Sequence, residues 1–153
     1  MSHLLLRLTF AAAVIAAVSG NTGMCFAQAT SPPKSMALRA VMRSLGRDMQ
    51  ATTDAISKED WTLVAETARK IAHHGEPPLS EKKLILDWLG SDSELFEALD
   101  EHTHEVARAM RKAAESGDGQ GVIENFAKLQ NSCLACHQRF RKAFVAHFYG
   151  QNP

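Results

Sequence analysis

Cys133-Leu134-Ala135-Cys136-His137 is the segment of this chain whose residue types and spacing can do specific chemistry. Two thiols three positions apart, with an imidazole directly after the second, make the C-x-x-C-H pattern of c-type haem attachment. On a helix, positions i, i+3 and i+4 share one face. Both sulfurs can then add to the vinyl groups of one porphyrin while the His137 ring stands under the iron as an axial ligand. The coordinating nitrogen must be unprotonated, and a backbone carbonyl or water takes the other ring N–H.

Other uses of these thiols fit less well. A thioredoxin-type redox pair sits at the start of a helix after a strand, and no strand pattern precedes Cys133. A structural zinc site needs two more ligands. His73 and His74 are adjacent, and neighbouring side chains diverge by about 100° on a helix.

The N-terminal segment points to export. Met1 to Leu8 carries Arg7 and no acid, Leu8 to Val18 is apolar apart from Thr9, and Ala27-Gln28-Ala29 is an A-x-A cleavage pattern. The expectation is a signal peptide over 1–29, a single domain over 30–153 and a soluble periplasmic product. A retained anchor is the alternative, but the apolar run is short against the roughly twenty residues of a membrane span. Cleavage removes Cys25, leaving Cys133 and Cys136 as the cysteines of the mature chain. In an oxidising compartment such a pair forms a disulfide, binds metal or is consumed by other chemistry, and His137 selects the last.

The 153 residues suit one domain, with 45% hydrophobic and 22% charged residues. Zero formal net charge offers nothing to nucleic acid or to an anionic membrane surface.

Helices must position the motif. Apolar stripes at three- and four-residue steps, with Gly and Pro between them, predict four helices and no strands. The first runs from about Ser35 to Ile56, with Leu38, Met42, Leu45, Met49 and Ile56 on one face. Ser57 with Asp60 predicts the cap of the second, which carries Trp61, Val64, Ala68 and Ile71 inward and stops near Gly75. A connection, Leu79 to Gly90, holds one or two helical turns around Leu84 to Trp88. Ser91 with Glu94 predicts a capping box for the third helix, with Leu95, Leu99, Val106 and Met110 inward. The last spans about Gln120 to Phe148, with Val122, Phe126, Leu129, Cys133, Phe140 and Phe144 along one side. Short joins make antiparallel neighbours, so the expected fold is an all-α, antiparallel four-helix bundle with haem c on its C-terminal helix.

At these residues the chain resembles a known family. Cys133 to Arg141, with Phe140-Arg141 after the histidine, is similar to the C-x-x-C-H-x-x-[FY]-R signature of class II c-type cytochromes, the cytochrome c prime family. The Gly117-Asp118 break, Phe126 and Leu129 are similar too, and the resemblance covers roughly Lys34 to Lys142. It implies one covalent haem c on a four-helix bundle, Arg141 near the haem and His137, and, in many members, a homodimer paired through the first helix.

The resemblance also implies where the other face of the iron is met. Low-spin members place a methionine on the first helix within a pattern like R-x-x-x-M-[KR]-x-x-G, and Met42-Arg43-Ser44-Leu45-Gly46 resembles its second half. Met42 is thus the expected distal ligand, with Met36 and Met49 as alternatives. The chain departs from the pattern in having Leu38 four residues before Met42 and Arg39 three before it, which weakens the assignment of Arg39 to a propionate. His/Met ligation suits one-electron transfer. The alternative is a five-coordinate, high-spin iron that binds nitric oxide or carbon monoxide under an apolar pocket.

The remaining groups read as ordinary surface. His102 and His104, two apart on the third helix, point to different sides and predict a solvated face. His73 and His74 fall at a helix C-terminus, where the dipole favours them. His147 is nearly three turns past His137, too far to share an iron. Arg139, Arg141 and Lys142 make a basic cluster suited to steering an acidic redox partner protein, identity unknown. No catalytic constellation is visible, so the expectation is a carrier and not an enzyme.

Overall fold

The computed structural model describes residues 36–150, and the expected signal segment lies outside them. The elements in chain order are α1 (Ala37–Ser57), α2 (Trp61–Ala72), α3 (Leu79–Leu89), α4 (Ser93–Glu115), α5 (Gly119–Cys136), a π-helical turn (His137–Arg141) and α6 (Lys142–Tyr149). A single 3₁₀ turn, Gly90–Asp92, leads into α4. No strand occurs among the described residues. Helices α1, α2, α4 and α5 pack in a ring, α1 on α2, α2 on α4, α4 on α5 and α5 back on α1. The molecule is therefore the four-helix bundle that the stripes predict, with α3 laid across one connection.

The core lies between these four helices. Val64, Ala68 and Ile71 of α2 meet Val106, Ala107 and Met110 of α4 and Val122 and Leu129 of α5. Ala is frequent at the contact points, so the helices can approach closely. Polar side chains in the core are paired. Thr52 Oγ1 donates to Thr67 Oγ1 at 2.8 Å, and the Thr103 and Ser132 hydroxyls share a hydrogen bond between α4 and α5. Buried hydroxyls without partners would each cost about 1–3 kcal/mol.

The ends of the helices depart from the expected caps. Asp60 caps α2 by accepting from the Leu63 N–H, whereas Ser57 belongs to α1, where its hydroxyl donates to the Thr53 carbonyl. The anticipated capping box of Ser91 and Glu94 is not formed, because the 3₁₀ turn runs directly into α4 and starts it at Ser93 without a side-chain cap. Leu95, expected inward, is exposed. Helix α3 is complete from Leu79 onward, longer than its apolar content predicts. Its Glu81 carboxylate accepts from the Ala37 and Leu38 N–H groups at 2.8 and 2.7 Å. That contact caps α1 from 43 residues away in sequence and ties down the helix that carries Met42.

The start of α5 is also held locally. Gly117, at φ +69, turns the chain after α4 in the left-handed region that favours glycine. Asp118 then caps α5 by accepting from the Gly121 N–H at 2.9 Å. A methyl group on Gly121 would overlap that carboxylate.

Candidate haem site

Cys133 and Cys136 close the last turn of α5 as free, half-buried thiols. Burial pushes both thiols up, Cys136 to about 11, with the nearby negative charge of Asp100 adding to the effect. A thiol this weakly acidic is not the activated thiolate of a disulfide exchanger. His137 follows as the first residue of the π turn. Burial and then the Arg141 guanidinium hold its imidazole below the ordinary value, which favours the neutral ring that a metal requires.

The π turn has a mechanical effect. It carries one more residue per turn than an α-helix, so α6 leaves rotated by roughly 100° relative to an unbroken α5. Phe140 is buried within it, edge-on to Phe96 of α4 with ring centres 5.5 Å apart. Beyond it Phe144 and Phe148 meet Trp88 of α3, and His147 stacks on the same indole at 5.2 Å. His147 is thus engaged away from His137, as its spacing predicts.

A cavity of about 620 Å³ opens against this turn. Its walls come from Leu38, Val41 and Met42 of α1, Ile85 and Leu86 of α3, Phe96 of α4, and Cys136, His137 and Phe140. Arg39 and Arg141 stand on its lining, and Arg39 also lies 5.4 Å over the Tyr149 ring. Of the three methionines considered, Met42 reaches the cavity; Met36 is buried at the start of α1, and Met49 packs on the bundle core.

These features fit a haem. The volume lies within the roughly 300–1,000 Å³ of cofactor sites, and the walls are mainly apolar. The Cys136 thiol and the His137 imidazole sit on one wall, with the Arg39 and Arg141 guanidinium groups also on the lining. Residues 35–141 match the family described as Cytochrome C'. The chain belongs to the cytochrome c′ family. Searches of characterised proteins and of solved structures found no match. Membership brings covalent haem c and a carrier role in electron transfer or gas binding. Among the described residues of this cytochrome, no helix is long and apolar enough to cross a membrane.

Two surface readings need correction. Arg139, counted in the basic cluster, is bound to Asp92 at 2.6 Å, leaving Arg141 and Lys142 exposed beside His137. His104 is not on a solvated face. It is half-buried, its ring stacked on that of His74 with centres 4.5 Å apart, and both face Asp100. His102 remains exposed, and His73 caps α2 while its neighbour turns inward, as divergent side chains must. The two-residue spacing gave no sign of this, because the partner comes from another helix.

His74 and Asp100 carry a pH dependence. The Asp100 carboxylate holds His74 above its ordinary value against the opposing effect of burial. Burial pushes Asp100 up, but His74 and His104 outweigh it and leave the carboxyl lowered. The raised imidazole contributes stability that is complete below 6.5 and lost as pH rises through the higher folded value. The lowered carboxyl contributes stability present above 3.8 and lost as pH falls through its folded value. In a chelator-containing buffer, Asp100→Asn will therefore lower the thermal midpoint more at about pH 6 than at about pH 8. An equal loss at both would refute the coupling; His137 is common to both proteins and cancels.

Proposed function

We propose that this cytochrome c′ is an exported, periplasmic one-electron carrier with one haem c, bonded through Cys133 and Cys136 and ligated by His137 and Met42. The observation that carries the reading is that Met42 and His137, 95 positions apart, line one cavity. When bound, the haem supplies a reversible one-electron couple. The chain's part is to hold it. Cys133 and Cys136 anchor the porphyrin to the rigid end of α5, and His137 donates a neutral nitrogen. Met42 offers a soft thioether that, paired with imidazole, raises the reduction potential. Apolar residues of α1 and α3 keep water from the iron, while Arg39 and Arg141 suit the propionates. Arg141 and Lys142, exposed beside His137, suit an acidic partner protein.

The ferrous absorption spectrum of purified protein tests the ligation. Wild type is expected to give a sharp low-spin α band and to bind carbon monoxide slowly. Met42→Ala is expected to lose that band, bind carbon monoxide quickly and show a lower reduction potential. An α band unchanged in Met42→Ala would refute Met42 ligation. A high-spin wild type that binds carbon monoxide at once would place the protein in the gas-binding branch, with Leu38 and Val41 as its apolar distal wall.

A further inference from the structure

The start of α1 is held by a side chain from another helix. Glu81 of α3 accepts from the Ala37 N–H at 2.8 Å and from the Leu38 N–H at 2.7 Å, one carboxylate oxygen for each. The Arg39 N–H turns back to the Met36 carbonyl at 3.1 Å. Neither α1 nor α3 has a side-chain cap of its own at its N-terminus. Glu81 lies in the first turn of α3, so its charge meets the positive ends of two helices at once. The cations beside it are committed elsewhere, Lys82 to Glu76 and Lys83 to Asp87. We propose that Glu81 is a positioning residue for the haem, a latch that holds the first turns of α1, with Met42, over the distal side of the cavity.

Packing shows why α1 needs the latch. Its later turns are fixed by the bundle: Thr52 and Ala55 are buried, and Leu45, Met49 and Ile56 pack on the core. Its first turns are not. No residue from Ala37 to Ser44 is buried, and none belongs to the core. Met36 is buried just ahead of them but stands outside that core. The stretch, roughly 12 Å long, carries Leu38, Val41 and Met42 on the cavity. A helix end with so few buried contacts opens locally at little cost. Helix α3 is the firmer support, since Ile85 is buried and Trp88 meets Phe144 and Phe148. Among the described residues, the two bonds to Glu81 are the hydrogen bonds that join α1 to α3. Bonds to a carboxylate are roughly twice as strong as neutral ones, so the latched arrangement dominates. A merely local cap would only stabilise α1; a latch also sets how often the distal side stands open.

Carbon monoxide binding to the ferrous, haem-loaded protein and hydrogen exchange of the amides from Ala37 to Ser44 test the latch together. Glu81→Ala is expected to speed carbon monoxide binding at least about tenfold and to speed exchange of those amides by a similar factor. Glu81→Gln, which keeps an acceptor oxygen but not the charge, is expected to fall between. Lys83→Ala removes an exposed ion pair from α3 and should change neither. Alanine suits a helix, so α3 survives in each variant, and exchange in α2 and α4 should stay at the wild-type level. Unchanged amide exchange in Glu81→Ala would overturn the latch. Faster exchange with an unchanged carbon monoxide rate would reduce Glu81 to a structural cap and overturn its positioning role. The inference rests on the reading that α1 meets the distal side of the haem, and Met42→Ala tests the ligand separately. Should the α band of Met42→Ala match wild type, the ligation reading fails alone. Glu81→Ala is then still expected to loosen α1 and to open the way past Leu38 and Val41.

Discussion

Replacing both Cys133 and Cys136 with alanine will abolish haem retention on a denaturing gel, where wild-type protein will keep its haem stain. A haem held only by His137 and by the walls of the cavity leaves when the helices melt, because coordination and apolar contact both depend on the folded chain. Thioethers do not. Each single variant retains one covalent bond and is expected to keep the stain. The variant is expected to fold, because the two side chains are half-buried and alanine is the best helix former. Its circular dichroism will therefore remain helical, which separates loss of attachment from loss of fold. Full haem retention in the double variant after denaturation would refute the attachment. His137→Ala provides the complementary result: stain retained, with the iron spectrum altered.

Leu129→Ala will destabilise the protein by about 2–5 kcal/mol, the range for removing a large buried aliphatic side chain and leaving a cavity. Leu129 has no exposed surface and packs at the centre of the bundle, one turn before Cys133. Against a total stability of roughly 5–15 kcal/mol for a domain, that loss is large. Leu134, on the same helix but 52% exposed, is the control, and its alanine variant should stay within about 0.5 kcal/mol of wild type. Urea unfolding of the haem-loaded proteins measures both, with an unchanged slope required for a two-state comparison. Equal effects at the two leucines would contradict the burial that places this face of α5 in the core.

The reach of sequence reading differs between elements for physical reasons. The four main helices were legible because each buries a stripe at helical spacing, and that stripe is written in consecutive residues. Caps were less legible: Ser57 with Asp60 was expected to cap α2 but Asp60 alone does so, Asp118 at α5 was read only as part of a break, and Ser91 gave way to a 3₁₀ turn. Glu81 was missed, since the N–H groups it accepts from belong to a helix more than forty residues earlier. The π turn was also missed. Its segment, His137 to Arg141, has no glycine or proline to mark it, and the partner of its buried Phe140 is Phe96 of another helix.

Cys133, Cys136 and His137 carry their chemistry in one stretch of chain, so the sequence by itself determined the attachment motif, the family likeness and the all-helical class. Bringing Met42 to the cavity that holds His137 required α1 to fold back along the bundle, with Glu81 fixing its end. Bringing His74 and His104 together on Asp100 required α2 to end beside α4. Both depend on contacts between distant segments, whose free energy comes from burying apolar faces jointly. Short-range spacing cannot encode which faces meet, and that choice was left to the tertiary structure.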